Sequence, residues 1–419
     1  MKNIFTLITF CVAIYATSQL NAQNEWTQLT PTGDIPSERE GMAMVTIGNA
    51  IYLFGGYNNS ESNMNDLHRF NPSSGSWEEL TPDNAEPEAR SGHKAVAYDG
   101  KMYIFFGSGA EGFLDDIWQY NPTTNQWTEI VPFSDIYPGA RAYNSIVLIG
   151  NMAWFYGGIS DGGEVLTDLW AFNFGNSQWE SYPAYSGDGR HGHIAARKDS
   201  EMYIIGGYEG FSAVNTIICY HTGSGTWSTL SKKGSFPEPF AYAGHSQIDN
   251  QVFIFGGATN SDVTGNAYLW DLNEMNFAPL AVGPVRSDPG VTHVPGPSQD
   301  KDAQYQAFML FGGSNMGLIE DETWYYYSDI EIQSNISTCL GNPHIQVSQS
   351  GHQIFISSGT DILSGAEYQI NDLQGRIFVK ATITGQSTCV DLPYACNGLF
   401  ILTIKKNKIP VFITKLAVY

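Results

Sequence analysis

A period of about fifty residues runs through three quarters of this 419-residue chain, and it is carried by two independent markers. Trp26, Trp77, Trp127, Trp179 and Trp227, continued by Phe277, are spaced by 51, 50, 52, 48 and 50 residues. Gly55, Gly107, Gly157, Gly206, Gly256 and Gly312 are spaced by 52, 50, 49, 50 and 56. A unit of that length cannot bury its own apolar surface, and in a propeller each blade is such a unit. Every unit carries four strand signals. In the second they are "SGHKAVAYD", "KMYIFFG", "DIWQYNP" and "WTEI". The first two are joined by a two-residue turn that recurs as Gly48-Asn49, Asp99-Gly100, Gly150-Asn151, Asp199-Ser200 and Asp249-Asn250. Gly, Asn and Asp tolerate the positive φ that short hairpins need. The fold class is therefore all-β, and six units predict six blades.

The double glycine that ends each second strand predicts a close backbone approach that a Cβ would block. The second unit departs from it with Gly107-Ser108. "EWTQL" at residues 25–29 lacks three preceding strands, while the sixth unit stops at "ETWYYY" without a fourth. The first strand is expected to complete the last blade and so remove a free sheet edge. The sixth unit also carries an insertion, "VPGPSQDKDAQ", expected as a surface excursion.

The series "YLFGG", "YIFFGS", "WFYGG", "YIIGG", "FIFGG" and "MLFGG", each followed by an aromatic and then Trp or Phe, resembles the kelch repeat over residues 24–328. That resemblance implies a six-bladed kelch β-propeller with a binding face at one channel mouth.

Composition changes near residue 330. Residues 24–330 hold 37 acidic and 13 basic side chains, whereas residues 331–419 hold 5 and 6. So acidic a body repels nucleic acid and anionic membranes, which excludes nucleic acid as a partner. Residues 329–343 read as a polar linker, and 344–419 as short strands with Gly-bearing turns, predicting a small immunoglobulin-like β-sandwich. The strings "YQINDLQGR" and "GLFILTIK", with a basic terminal strand, resemble the type A sorting domain of the type IX secretion system of Bacteroidetes. The resemblance implies the secretion machinery as a partner. At the other end, Lys2, the apolar run Ile4 to Ala16 and the small residue Ala22 predict a signal peptide over 1–22. No stretch reaches membrane-spanning length. The expected location is secreted or on the outer-membrane surface, reached through the periplasm. Cys219 is expected as a free thiol within the repeat. Among Cys339, Cys389 and Cys396 the closest pair in sequence is Cys389 with Cys396, but spacing leaves the connectivity open.

The candidate ligand-binding residues are an arginine series at blade period, Arg39, Arg90, Arg141 and Arg190, with Arg286 aligning more loosely and the fifth unit reading "PEPFAYAGH" instead. Each precedes the first strand of its blade, so the series is expected to ring a channel mouth and engage an anionic group. A second role is open to the same side chains. Each could pair with a neighbouring acid, such as Asp66, Asp116 or Asp168, and fix blades to each other. His93, His193 and His245 lie three residues after Arg90, Arg190 and Tyr242, and join the candidate set. No metal site and no cofactor motif is read: a phosphate loop, a CxxC pair, HExxH and an EF-hand loop are all missing. Copper-radical oxidases need a Cys–Tyr pair and further ligands, and sialidases need acidic boxes that "NPSSGSW" and "NPTTNQW" lack. The function expected is an exported or cell-surface module presenting propeller loops to a protein or glycan ligand. The alternative is an enzyme acting on an acidic sugar, as sialic-acid mutarotases do.

Overall fold

A computed structural model describes residues 25–60, 62–231, 235–295 and 306–328, together with the segments 345–350, 353–358, 366–372, 377–383, 387–391, 398–406 and 409–418. Six antiparallel sheets build the propeller. Blade 1 runs outward through Ala43–Ile47, Ala50–Asn58, Ser62–Asn71 and Ser76–Leu80. Blades 2 to 5 repeat that order, with innermost strands Lys94–Tyr98, Ser145–Ile149, Ile194–Lys198 and Gly244–Ile248. The period of fifty residues is thus one blade. In all five predicted two-residue turns the first residue has positive φ, from 49° at Asp99 to 62° at Gly150.

Blade 6 takes three strands from the end of the propeller, Gly290–His293, Gln306–Phe311 and Thr323–Ser328. Its fourth is Glu25–Gln28, antiparallel to the last of these, with Trp26 opposite Tyr326 and Gln28 opposite Trp324. Closure by the first strand is as the sequence predicted. The Trp26 ring packs 4.5 Å from Phe255 of blade 5, and its indole N–H donates to the Ala281 carbonyl at 2.9 Å.

The Trp column explains how blades stack. Each fourth-strand aromatic lies against the second strand of the preceding blade: Trp77 on Phe311, Trp127 on Phe54, Trp179 on Phe105 and Trp227 on Tyr156. Phe277 takes the same place in the cluster of Ile205 and Trp270. The shape of the repeat therefore forces a ring, because each apolar layer is covered only by the next blade. The insertion in blade 6 falls largely on residues 296–305, outside the described residues.

Downstream, seven strands form two antiparallel sheets, one of three strands and one of four. In the larger sheet Tyr368 and Ile370 face Ile404 and Leu402 across the ladder, and all four are buried. This alternation gives one covered face. The signal-peptide residues and the whole of the predicted linker lie outside the described residues, as do the side chains of Cys339, Cys389 and Cys396. Cys219 is a free, fully buried thiol that burial raises to a pKa of about 12.

Removing residues 25–30 strips blade 6 of its outer strand and Trp26 of its seat on Phe255. The deletion variant is expected to melt at least about 10 °C lower, since losses of several kcal/mol move the midpoint of a domain this size by that much. An unchanged melting temperature would mean that the ring closes without this strand.

Candidate functional site

The five arginines lie within the blades. Arg39, Arg90, Arg141, Arg190 and Arg286 are between 0% and 6% exposed. Arg39 forks onto Asp66 at 2.6 and 2.7 Å, Arg90 onto Asp116 at 2.5 and 2.7 Å, and Arg141 onto Asp168 at 2.7 Å for both bonds. Arg190 meets Thr216 in the place of the aspartate, donating to its carbonyl and hydroxyl, and reaches Glu209 at 2.7 Å. Arg286 uses Glu322 at 2.6 Å. Further guanidinium protons go to the strand-end carbonyls of Gly55, Phe106, Gly157 and Gly206, and the Nε–H of Arg39, Arg90 and Arg141 donates to the carbonyls of Ser37, Glu88 and Gly139. Burial alone would raise Asp66, but hydrogen bonds from His68 and Arg39 outweigh it and hold its carboxyl well below the usual range.

The same residues join neighbouring blades through the main chain. In blades 1, 3, 5 and 6 the second glycine N–H donates to the arginine carbonyl of the next blade: Gly56 to Arg90 at 2.9 Å, Gly158 to Arg190 at 2.8 Å, Gly257 to Arg286 at 2.8 Å, and Gly313 to Arg39 at 2.8 Å; in blade 2 Gly107 does so to Arg141 at 2.9 Å, with Phe106 rather than a glycine before it, and in blade 4 Gly207 donates to Phe240. A Cβ on Gly55 would lie 2.8 Å from the Arg90 carbonyl oxygen, and one on Gly157 2.6 Å from that of Arg190. This is the close approach predicted from the double glycine. The arginines do not present themselves to a ligand; all five are buried with terminal nitrogens engaged inside the protein, and of the two roles open to them in the sequence the geometry supports pairing with an acid.

The histidines are placed differently from one another. His93 and His193 are buried beneath the arginine series, edge-on to Phe54 and Tyr156. Burial, then the Arg90 and Arg190 charges, push their pKa values well below the ordinary imidazole range. His245 is not their counterpart. The strand register aligns Gly244 with Lys94 and Ile194, so Ala243 holds the His93 position and His245 lies two residues deeper, beside the channel. Burial, with help from the Lys94 charge, lowers it to about 4. The three therefore do not converge. Among the described residues, the side chains grouped within metal-ligating range are Glu201, Cys219 and His221 on blade 4.

What encircles the mouth is the column two residues after the arginines. Gly41, Gly92, Tyr143, Gly192, Tyr242 and Asp288 all have φ between 51° and 65°. Their amides form a closed circle. Gly92 donates to Gly41, Tyr143 to Gly92, Gly192 to Tyr143, Tyr242 to Gly192, Asp288 to Tyr242 and Gly41 to Asp288, at 2.7–3.1 Å. Three positions are glycine because neighbouring side chains lie over them. A Cβ on Gly92 would sit 2.7 Å from the Tyr143 ring, one on Gly192 2.9 Å from Tyr242, and one on Gly41 3.1 Å from the Asp288 carboxylate.

On this circle opens a concavity of about 540 Å³, lined by Glu40, Tyr57, Asn63, Ser91, Tyr143 and Asp288 among others. The Tyr143 and Tyr242 rings meet edge-on at 5.3 Å, and Tyr242 continues to His191, whose Nδ1 lies 2.9 Å from its hydroxyl. Burial raises the Asp288 carboxyl to about 6; Lys94, below it in the channel, opposes the shift and Glu40 adds to it. Asp288 and Glu40 have no ion pair within 4 Å and accept no side-chain hydrogen bond among the described residues. The mouth is thus aromatic and acidic, opposite in sign to the expectation from the arginine series. Glu40, Tyr57, Tyr143, Tyr242 and Asp288 escaped the sequence reading. The signal was there, as a column of non-glycine residues at blade period, but nothing in the sequence sets the sign of the mouth until the arginines are known to be paired.

Comparison with known proteins places the ring. The family described as the KLHDC2/KLHL20/DRC7 Kelch-repeats domain matches residues 12–189, and the Attractin/LZTR1 beta-propeller matches residues 110–284. The chain is 34% identical over 285 residues to Kelch domain-containing protein 10 of Xenopus laevis, covering 65% of this chain and 56% of that protein. It is 28% identical over 268 residues to the leucine-zipper-like transcriptional regulator 1 homolog of Drosophila melanogaster, covering 60% and 22%, and 27% identical over 254 residues to Kelch domain-containing protein 3 of Rattus norvegicus, covering 59% and 55%. The chain spans between about a fifth and just over half of these relatives. With the six blades, these matches define the domain as a kelch-repeat β-propeller.

Two outcomes test this geometry. Arg90→Ala takes the guanidinium away from Asp116 and the Phe106 carbonyl inside the blade, and is expected to lose about 3 kcal/mol of stability in a denaturant titration. Arg69→Ala, which breaks an exposed pair with Glu78, is expected to lose under about 1 kcal/mol. Equal losses would mean that the buried guanidinium stabilises its blade no more than an exposed pair does. Asp288 acts on stability in the opposite sense. Its folded pKa lies above the unfolded value of about 3.9, so the stability it allows is full below that pH and falls as pH rises through about 6. Asp288→Asn is therefore expected to melt higher than the parent at pH 7.5 and equal to it at pH 4. A variant less stable at pH 7.5 would show that the carboxylate is structurally satisfied.

Proposed function

We propose that this chain is an exported protein-binding module whose ligand docks on the channel mouth carrying Glu40, Tyr57, Tyr143 and Asp288. The observation that supports it most is the concavity on the circle of amides, which two of the three strained non-glycine residues, Tyr143 and Asp288, furnish with side chains. Left-handed φ at Tyr143, Tyr242 and Asp288 is a cost that architecture alone does not require, since glycine serves at the other three positions. Tyrosines at a rigid rim supply large contact area at small loss of conformational freedom. The enzyme alternative, chemistry on an acidic sugar, needs a cationic pocket, and this pocket is lined by two carboxylates and no arginine.

The module so proposed comprises the propeller over 24–328, a connector over 329–343 and a type IX sorting domain over 344–419. Residues 1–22, read as a signal peptide, support passage into the periplasm, and the strings "YQINDLQGR" and "GLFILTIK" support onward passage to the surface or medium. No helix among the described residues is long and apolar enough to cross a membrane.

An array of peptides and glycans probed with the full chain and with Tyr143→Ala tests the binding reading. Retention of peptides by the parent, weakened at least about tenfold in the variant, is the expected result. Retention of glycans alone, or peptide binding indifferent to Tyr143, would overturn it. Deleting residues 344–419 in a host with type IX secretion is expected to leave the protein in the periplasm. Undiminished release into the medium would remove the sorting role.

A further inference from the structure

We infer that the mouth concavity is a cation-binding subsite that takes the lysine or arginine side chain of a partner polypeptide. This deepens the protein-binding reading and rests on it.

The argument begins with what is missing around two carboxylates. Buried or half-buried acids in this propeller find cations: Asp66, Asp116, Asp168, Glu209 and Glu322 all meet an arginine at 2.7 Å or less. Glu40 and Asp288 belong to the same two blade junctions and meet none. Asp288 is enclosed by the Tyr143 and Tyr242 side, with Glu40 adding like charge, and Lys94 acts on it only from a distance. A half-buried carboxylate without a partner is destabilising, and its neighbour of the same sign makes this worse. Both disadvantages are removed when a single cation enters between them.

The rest of the lining selects the kind of cation. Among the described residues no third carboxylate, histidine or cysteine comes within ligating range of this pair, so a metal ion would lack protein ligands. Tyr57 and Tyr143 line the concavity, and aromatic rings attract an organic cation. Ser62, Asn63, Ser91 and Ser108 supply hydrogen-bond acceptors for several N–H groups, as a guanidinium or an ammonium presents. A space of about 540 Å³ holds one such side chain with adjoining backbone. The propeller body, with 37 acidic and 13 basic residues over 24–330, draws a basic segment toward the mouth at long range.

Titration calorimetry of the full chain against capped tripeptides with a central arginine, lysine, citrulline or glutamate, and against ethylguanidinium, tests the inference. The arginine and lysine peptides are expected to bind, with affinity falling about tenfold or more in Glu40→Gln and in Asp288→Asn, and falling as salt is raised. Citrulline has the same shape without the charge and is expected to bind at least tenfold more weakly. Ethylguanidinium reports a subsite for free small cations, and equal affinity for it would overturn the polypeptide source. Equal affinity for citrulline, preference for glutamate, indifference to both substitutions, or no binding by either basic peptide would each overturn the cation subsite. If citrulline or glutamate peptides bind and Tyr143→Ala abolishes that binding, the mouth still binds polypeptide and only the cation inference fails. Peptide binding indifferent to Tyr143, Glu40 and Asp288 alike would sink both. Far-ultraviolet circular dichroism and melting temperature of each variant separate lost binding from lost folding.

Discussion

The propeller depends on one joint, repeated around the ring, in which a backbone carbonyl serves one blade and the side chain of the same residue serves the next. At residue 90 the carbonyl accepts from Gly56 of blade 1, while the guanidinium grips Asp116 and the Phe106 carbonyl of blade 2. The ion pair is not the main source of stability, because desolvating both charges offsets much of their attraction. What the arginine contributes is donors at a place where strand ends leave carbonyls that water cannot reach. Five N–H groups in a rigid fork meet an aspartate and two carbonyls at once, which a lysine could not do. The acid is used twice over: Asp116 and Asp168 also accept from the indole N–H of Trp118 and Trp170, two residues along the same strand.

Departures from the repeat separate the two halves of the joint within the one sequence. Where Phe240 replaces the arginine in blade 5, Asn266 stands where the other blades place an acid or Thr216, and the Phe240 carbonyl still accepts from Gly207 at 2.7 Å. The main-chain half of the joint survives without the side-chain half. In blade 4, where Thr216 replaces the acid, Arg190 recruits Glu209 from the following loop.

The sequence made the architecture legible because a fifty-residue period, a turn dipeptide and a displaced first strand are each local signals with a steric cause. The close approach at Gly55 and the pairing of Trp26 with the last strand could be read from those signals alone. The arginines were legible as a column but not as to role, because period says which residues are equivalent and not which way they point. The partners Asp66, Asp116 and Asp168 could be named from sequence; that they take the whole guanidinium could not. His245 was misaligned by two residues because the fifth unit lacks the arginine that anchors the count, and only strand pairing with Phe255 and Ile254 restores the register.

The mouth shows how a repeat of six equivalent units acquires one distinctive site. The circle of amides demands positive φ at every blade and is met by glycine wherever nothing else is asked. Side chains occur at three of the six positions, and each leans over a glycine next to it in the circle, so that no two bulky residues compete for the same space. The glycines at 41, 92 and 192 are therefore part of the site, holding open the room that Asp288, Tyr143 and Tyr242 occupy. This divides the mouth into an acidic side near Glu40 and Asp288 and an aromatic side running from Tyr143 to His191. The asymmetry cannot come from the backbone, which repeats around the ring. It comes from which blades forgo glycine, and that choice separates the residues that close the propeller from those that furnish the mouth with side chains.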